Sequence, residues 1–338
     1  MAGIGFELKK MFSKKGVFPL LRAYGYAGVV CVGPMLLGMV LLIMISLMSI
    51  YFGASHHERE LLNSMVTYTL LASMVLTNTF TMVLTRFVAD SLYSKEKSHI
   101  LPAFWGSTSI MLVSGEILYG IFMLFAGIPA IYAVLCLILF GELVLVWNEM
   151  SFLTAVKDYQ GIIKVFAGAV IISGLVGALL LKFTECEIIC AMLFAVVSGY
   201  GIMSVLYYKV MAQYFPKGDV SSSCFLPWID RYPALILVGL GMSFGLFGHL
   251  VIMWGSRVNE HIQGLFYAAP IYDIPAIAAF LSILVTTINF VTSVEVNFYP
   301  KYRSFFDALN NGGNATVLGG TLRGEDRDET ITLVVART

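Results

Sequence analysis

The chain has 338 residues, 58% of them hydrophobic and only 12% charged, at a mean hydropathy of +0.84. Soluble domains carry about 25% charged residues, so an ordinary water-soluble globule is excluded. The 21 basic and 21 acidic residues cancel, leaving no bulk charge to attract nucleic acid, and the placement of those charges carries more information than their sum.

Lys9, Lys10, Lys14, Lys15 and Arg22 precede an apolar stretch that runs to about Tyr51. It is too long for a signal-peptide core and lacks a small-residue cleavage site, so residues 1–22 read as a basic amphipathic segment before a retained span. About 20 apolar residues let a helix cross about 30 Å of hydrocarbon. Eight stretches qualify, approximately 26–50, 64–84, 104–125, 129–147, 163–181, 188–208, 233–254 and 274–294. The expected fold is therefore all-α, a polytopic membrane helical bundle. The third and fourth spans meet at Gly127-Ile128-Pro129, which predicts a tight helical hairpin. Gly33-Pro34 interrupts the first span, and Pro270 and Pro275 bracket the start of the eighth. Proline breaks a helix, and broken helices often border transport sites.

Positive charge gives direction. With the N-terminus in the cytoplasm, inside segments carry Lys9, Lys10, Lys14, Lys15, Arg22, Arg86, Lys95, Lys97, Lys157, Lys164, Lys209, Lys217, Arg231, Lys301 and Arg303. Outside segments carry Arg59, Lys182 and Arg257. Fifteen against three places both ends in the cytoplasm. The start of the seventh span, Tyr232 to Gly239, repeats the Tyr-x5-Val-Gly of Tyr26 to Gly33. Residues 23–208 then form a first six-helix half, 209–231 a cytoplasmic loop, and 232–300 two helices of a second half. The segment 301–338, with Asn310-Asn311-Gly312-Gly313 and the charged run from Arg323, reads as a poorly ordered tail.

Charges at bilayer depth cost at least about 2.5–3.5 kcal/mol each, so they mark a pathway or pair between helices. Glu116, Glu142 and His249 fall well inside spans; Arg86, Glu149 and Glu295 fall near cytoplasmic ends, and Asp273 at an outer mouth. One reading makes them the lining of a polar cavity, with Arg86 facing a carboxylate. The other pairs them between helices or lets them snorkel. The second span carries Thr67, Thr69, Ser73, Thr77, Asn78, Thr79, Thr81 and Thr85, of which Thr77, Thr81 and Thr85 share one helix face. Asn78 and Thr81 are carried as pathway candidates, because hydroxyl and amide groups suit a sugar; interhelical packing explains such stripes equally. Cys186 and Cys190 are either a metal or redox pair or two small residues at a helix start. No bond-making motif is present, and the loop from Lys209 to Arg231 is too short for a nucleotide-sugar fold. No enzyme, cofactor or metal site is expected.

Ala2-Gly3-Ile4-Gly5-Phe6-Glu7-Leu8-Lys9-Lys10, then Tyr26-Ala27-Gly28 and Gly33-Pro34, resemble the start of the PelG family, the inner-membrane transporter of the Pel exopolysaccharide. Thr85-Arg86-Phe87-Val88-Ala89-Asp90, Ala269-Pro270-Ile271-Tyr272-Asp273-Ile274-Pro275 and Glu295-Val296-Asn297-Phe298 resemble three further family segments, in order, up to about Leu309. The resemblance implies a relative of polysaccharide flippases and multidrug exporters, with about a dozen spans around a central cavity. It implies export of an amino-sugar-rich polymer beside a cytosolic glycosyltransferase and cyclic-di-GMP-responsive membrane partners, in contact with membrane lipid and polysaccharide. Two departures stand out. The segment Gly245 to Leu250 lacks an acidic residue expected there, and the chain turns at Asn310 into a segment unlike the family, as a truncated product would. A lipid-linked oligosaccharide flippase, a multidrug antiporter and a non-transporting scaffold of a synthase complex remain as alternatives.

Overall fold

The computed structural model describes residues 38–156 and 159–294, and singly Phe18, Phe298 and Tyr302. Gly33, Pro34, Glu295 and the proposed tail turn at Asn310 lie outside the described residues. Helix α1, Gly38–Tyr51, is the described part of the first expected span. Then come α2 His56–Tyr93, α3 Ile100–Phe125, α4 Ala130–Val156, α5 Tyr159–Phe183 and α6 Ile188–Tyr214. A short α7, Leu226–Arg231, leads into α8, Pro233–Trp254. Two strands, β1 Glu260–Gln263 and β2 Phe266–Ala268, precede α9, Pro270–Ser293. Seven of these helices, α2 to α6, α8 and α9, are long and apolar enough to cross a membrane. The polytopic all-α bundle therefore stands. The difference is the antiparallel β1–β2 pair, for which the sequence analysis expected no strand.

The 38 residues of α2 span about 57 Å at 1.5 Å each, nearly twice the hydrocarbon thickness. Apolarity picks out only its middle; its start is set by polar chemistry instead. Ser55 Oγ accepts the Glu58 N–H at 3.2 Å while the Glu58 carboxylate accepts the Ser55 N–H at 2.6 Å, a reciprocal cap.

The described chain falls into two compact units, one of Gly33–Ala279 and one that takes the last helix from Phe280 onward. Within Gly33–Ala279, α4 packs against α2 on one side and α6 on the other, α5 lines α6, and α8 lies along α2. Small residues let these backbones close up. A Cβ at Gly239 of α8 would lie 2.2 Å from the Asn78 carbonyl oxygen of α2, so only glycine permits that approach.

Both ends of this unit are capped by segments outside the helices. At one end, hereafter the hairpin end, α3 turns into α4 at Gly127 (φ +69°), and the β1–β2 turn at Gly264 (φ +57°) rests on it. A Cβ on Gly264 would fall 1.8 Å from Ala126 O; instead the Leu265 N–H bonds that oxygen at 3.1 Å and Gln263 Nε2 reaches Gly127 O at 3.1 Å. At the opposite, loop end, the α6–α7 connection lies across α3. Ser222 packs on Gly106, Gly218 on Ser98, and Phe225 is buried.

Candidate functional site

Two cavities follow α2 along successive turns. The smaller, about 250 Å³, lies between α2 and α4 towards the loop end, with Thr77, Asn78, Thr81 and Thr85 facing Trp147, Ser151 and Thr154. Each threonine hydroxyl of α2 donates to its own helix: Thr77 to Ser73 O at 2.9 Å, Thr81 to Thr77 O at 2.9 Å and Thr85 to Met82 O at 3.1 Å. Ser151 and Thr154 donate likewise to Trp147 O and Met150 O. With the protons committed backwards, the oxygen lone pairs face the cavity as acceptors. The Asn78 carboxamide has no hydrogen-bond partner among the described residues, and it offers both donors and an acceptor. Trp147 is fixed by its Nε1–H donating to Ser73 Oγ at 3.1 Å. The wall is therefore rich in acceptors, carries one bifunctional amide and holds no charge, a chemistry suited to a polyhydroxyl ligand.

The larger cavity, about 940 Å³, lies among α2, α3, α4 and α8 beneath the hairpin. Its framework is a run of stacked rings, Trp254–Tyr68–Phe122–Tyr119–Phe140, with centroids 4.5, 6.1, 5.8 and 4.7 Å apart and planes within 21°. The polar edges of this stack are bound within the protein. Tyr68 Oη donates to Tyr267 O at 2.9 Å and accepts the Tyr267 N–H at 3.1 Å, and Tyr119 Oη meets Thr69 Oγ1 at 2.7 Å. Trp254 Nε1–H donates to both carboxylate oxygens of Asp273, at 3.3 and 3.2 Å, and Asp273 also takes the Ala269 N–H at 2.9 Å. The remaining surface is apolar. From Tyr68 to Thr85 the two cavities cover about 26 Å of α2, but they open about 130° apart around it at 100° per residue. They are two sites, one polar and one greasy.

Of the residues singled out by sequence, Asn78 and Thr81 line the polar cavity. Glu116 and Glu142 line neither. A Cβ at Gly141 of α4 would lie 2.8 Å from Glu116 Oε1, and one at Gly201 of α6 would lie 2.7 Å from Glu142 Oε1. Each carboxyl thus fills a notch that a glycine leaves on the next helix. Arg86 is bonded within its own helix, Nε to Asp90 Oδ2 at 3.1 Å, and its guanidinium lies 5.5 Å from the Tyr232 ring centre. Asp90 also accepts the Trp228 Nε1–H at 2.9 Å, so the Thr85–Asp90 segment anchors α7. His249 Nδ1 lies 3.3 Å from Tyr272 Oη, joining α8 to the start of α9. Pro270 is the first residue of α9, and Pro275 lies within it. Among the described residues, Arg86, His249, Glu116 and Glu142 each make their contact at a different place: with Asp90, Tyr272, Gly141 and Gly201 respectively. Sequence reasoning missed Tyr68, Trp254 and the anchoring use of Asp273, because partners 199 and 19 residues apart leave no local pattern.

A family model named PelG, described as "Putative exopolysaccharide Exporter (EPS-E)", matches residues 1–320. The match reaches some ten residues past Asn310. Comparison with curated proteins and with solved structures finds no match for this chain.

Proposed function

Since the chain is a multi-pass membrane protein that belongs to the PelG family, we propose that it exports an amino-sugar-rich polysaccharide across the bacterial inner membrane. In this reading both termini are cytoplasmic, the hairpin end faces outwards, and Asn78 and Thr81 touch the sugar. Cytosolic glycosyltransferase and cyclic-di-GMP-responsive membrane proteins would feed the chain in at the loop end. The observation that carries the reading is the uncharged, acceptor-rich cavity between two span-length helices, with the Asn78 amide unpartnered among the described residues. Asn78 is half-buried on the cavity wall, so its unused donors and acceptor are open to a ligand or water. Amide and hydroxyl groups exchange hydrogen bonds with sugar hydroxyls at little net cost, so the cargo is recognised without being held.

The test replaces the cavity's polar atoms at nearly constant volume. Asn78→Leu combined with Thr81→Val lowers secreted polymer five- to tenfold at unchanged membrane abundance, measured by lectin binding to the culture. Unchanged secretion would remove this cavity from the path.

The 940 Å³ apolar cavity favours a second reading, a flippase whose cargo carries a lipid tail. Isoprenoid lipid co-purifying with the protein, and lost on filling the cavity by Ala72→Trp, would support that reading over a free polymer.

A further inference from the structure

Two glutamates of α4 each hold one carboxyl oxygen that is buried without a partner among the described residues. Glu142 Oε2 and Glu149 Oε2 are both fully enclosed and make no hydrogen bond, and Glu149 as a residue is only 2% exposed. They lie seven residues apart on α4, so they share one face about 10.5 Å apart along the axis. Gly201 of α6 leaves the space that Glu142 Oε1 occupies. A Cβ there would lie 2.7 Å from that oxygen, so a larger residue would make the carboxyl shift.

Among the described residues no cation is paired with either group. The ion pairs among the described residues are His56–Glu60, Arg86–Asp90 and His99–Glu96. From α6, the ionisable side chains on the buried side are Tyr200 and Tyr207, and the Tyr207 hydroxyl is already given to Ile162 O at 2.9 Å. On α3 they are Glu116, in its own notch against Gly141, and Tyr119, bound to Thr69. From α2, Ser73 and Thr77 present hydroxyls to α4; from α5, Lys164 is exposed. An ionised carboxylate with one oxygen so enclosed would be poorly solvated and, among the described residues, unpaired, whereas a protonated one is neutral.

We infer that Glu142 and Glu149 form a proton-binding pair, and that protons carried by these two acids drive the export cycle. Each carboxyl holds one proton as O–H while α4 and α6 are closed on it. When the helices part and water enters, the O–H bond breaks, the proton passes to water and the carboxylate remains until it is reprotonated from the other side. No other bond changes. The coupling rests on the export reading, but the protonation does not.

The experiment therefore has two arms. Infrared difference spectra of the protein in bilayers at pH 7, wild type minus Glu142→Gln and wild type minus Glu149→Gln, report whether each group is an acid or a carboxylate. Glutamine mimics the protonated form in size and charge, so both variants fold. The expected result is one protonated-acid carbonyl band lost in each variant; carboxylate bands at pH 7 would overturn the inference. In cells, the double glutamine variant is expected to lose at least tenfold in polymer export, and wild-type export to stop with a protonophore. Normal export by the double variant would overturn the coupling even where the bands show the acid form. No export by the wild type itself would sink the export reading and leave the infrared result standing.

Discussion

Asp273 accepts hydrogen bonds from an indole and from a backbone amide, and it does so where the hairpin, α8 and α9 meet. Bonds to a charged acceptor contribute about 1.5–3 kcal/mol, and removing the acceptor leaves two donors unsatisfied. Arg86 holds its own Asp90 one turn away on a side chain 53% exposed. Exposed pairs of that kind contribute about 0–1 kcal/mol. Asp273→Ala should therefore cost about 2–3 kcal/mol in unfolding measured in mild detergent, with changed tryptophan emission, and Arg86→Gln less than about 1 kcal/mol. Equal losses would sink this ranking. Sequence alone drew attention to Arg86 because a charge near an apolar span is visible, whereas the indole that Asp273 holds is not. Glu149 shows the same limit. Its place in the chain shows its position along the span but not that neighbouring helices bury it to 2% exposure.

Helices were legible wherever apolar content alone decides, as in α8, whose bounds Pro233–Trp254 coincide with the expected span. They were under-read where polar ends extend past the lipid, as in α2. The β1–β2 hairpin escaped notice because its strands are four and three residues long and its stability comes from docking. That docking depends on Gly264, where positive φ and the nearness of Ala126 O exclude a side chain. Gly264→Ala should release the hairpin from the α3–α4 turn without disturbing α4 against α6. Hydrogen exchange reads this directly. The Leu265 amide, which bonds Ala126 O, should lose protection at least tenfold while amides in α6 keep theirs. Unchanged exchange at Leu265 would mean that the hairpin holds by other contacts.

Direction across the membrane belongs to the whole molecule, and no single contact decides it. The topology proposed from the excess of Lys and Arg on alternate connections has the α5–α6 turn outside and the α6–α7 loop inside. Two cysteines report on those connections. Cys186 is exposed, just before α6 begins at the hairpin end. Cys224 lies at the loop end, half-buried, with Sγ 3.6 Å from His99 O, and burial pushes its thiol up. A raised thiol is less often the reactive thiolate at neutral pH, so Cys224 reacts slowly even from its accessible side, and faster as pH rises. In single-cysteine variants, a membrane-impermeant maleimide should label Cys186 in intact spheroplasts and spare Cys224. Inverted vesicles should reverse this, with labelling of Cys224 growing from pH 7 to pH 9. Labelling of Cys224 from outside intact spheroplasts would invert the topology. The polymer's entry would then lie beneath the hairpin, at the aromatic cavity, and the hydroxyl-lined cavity would face its exit.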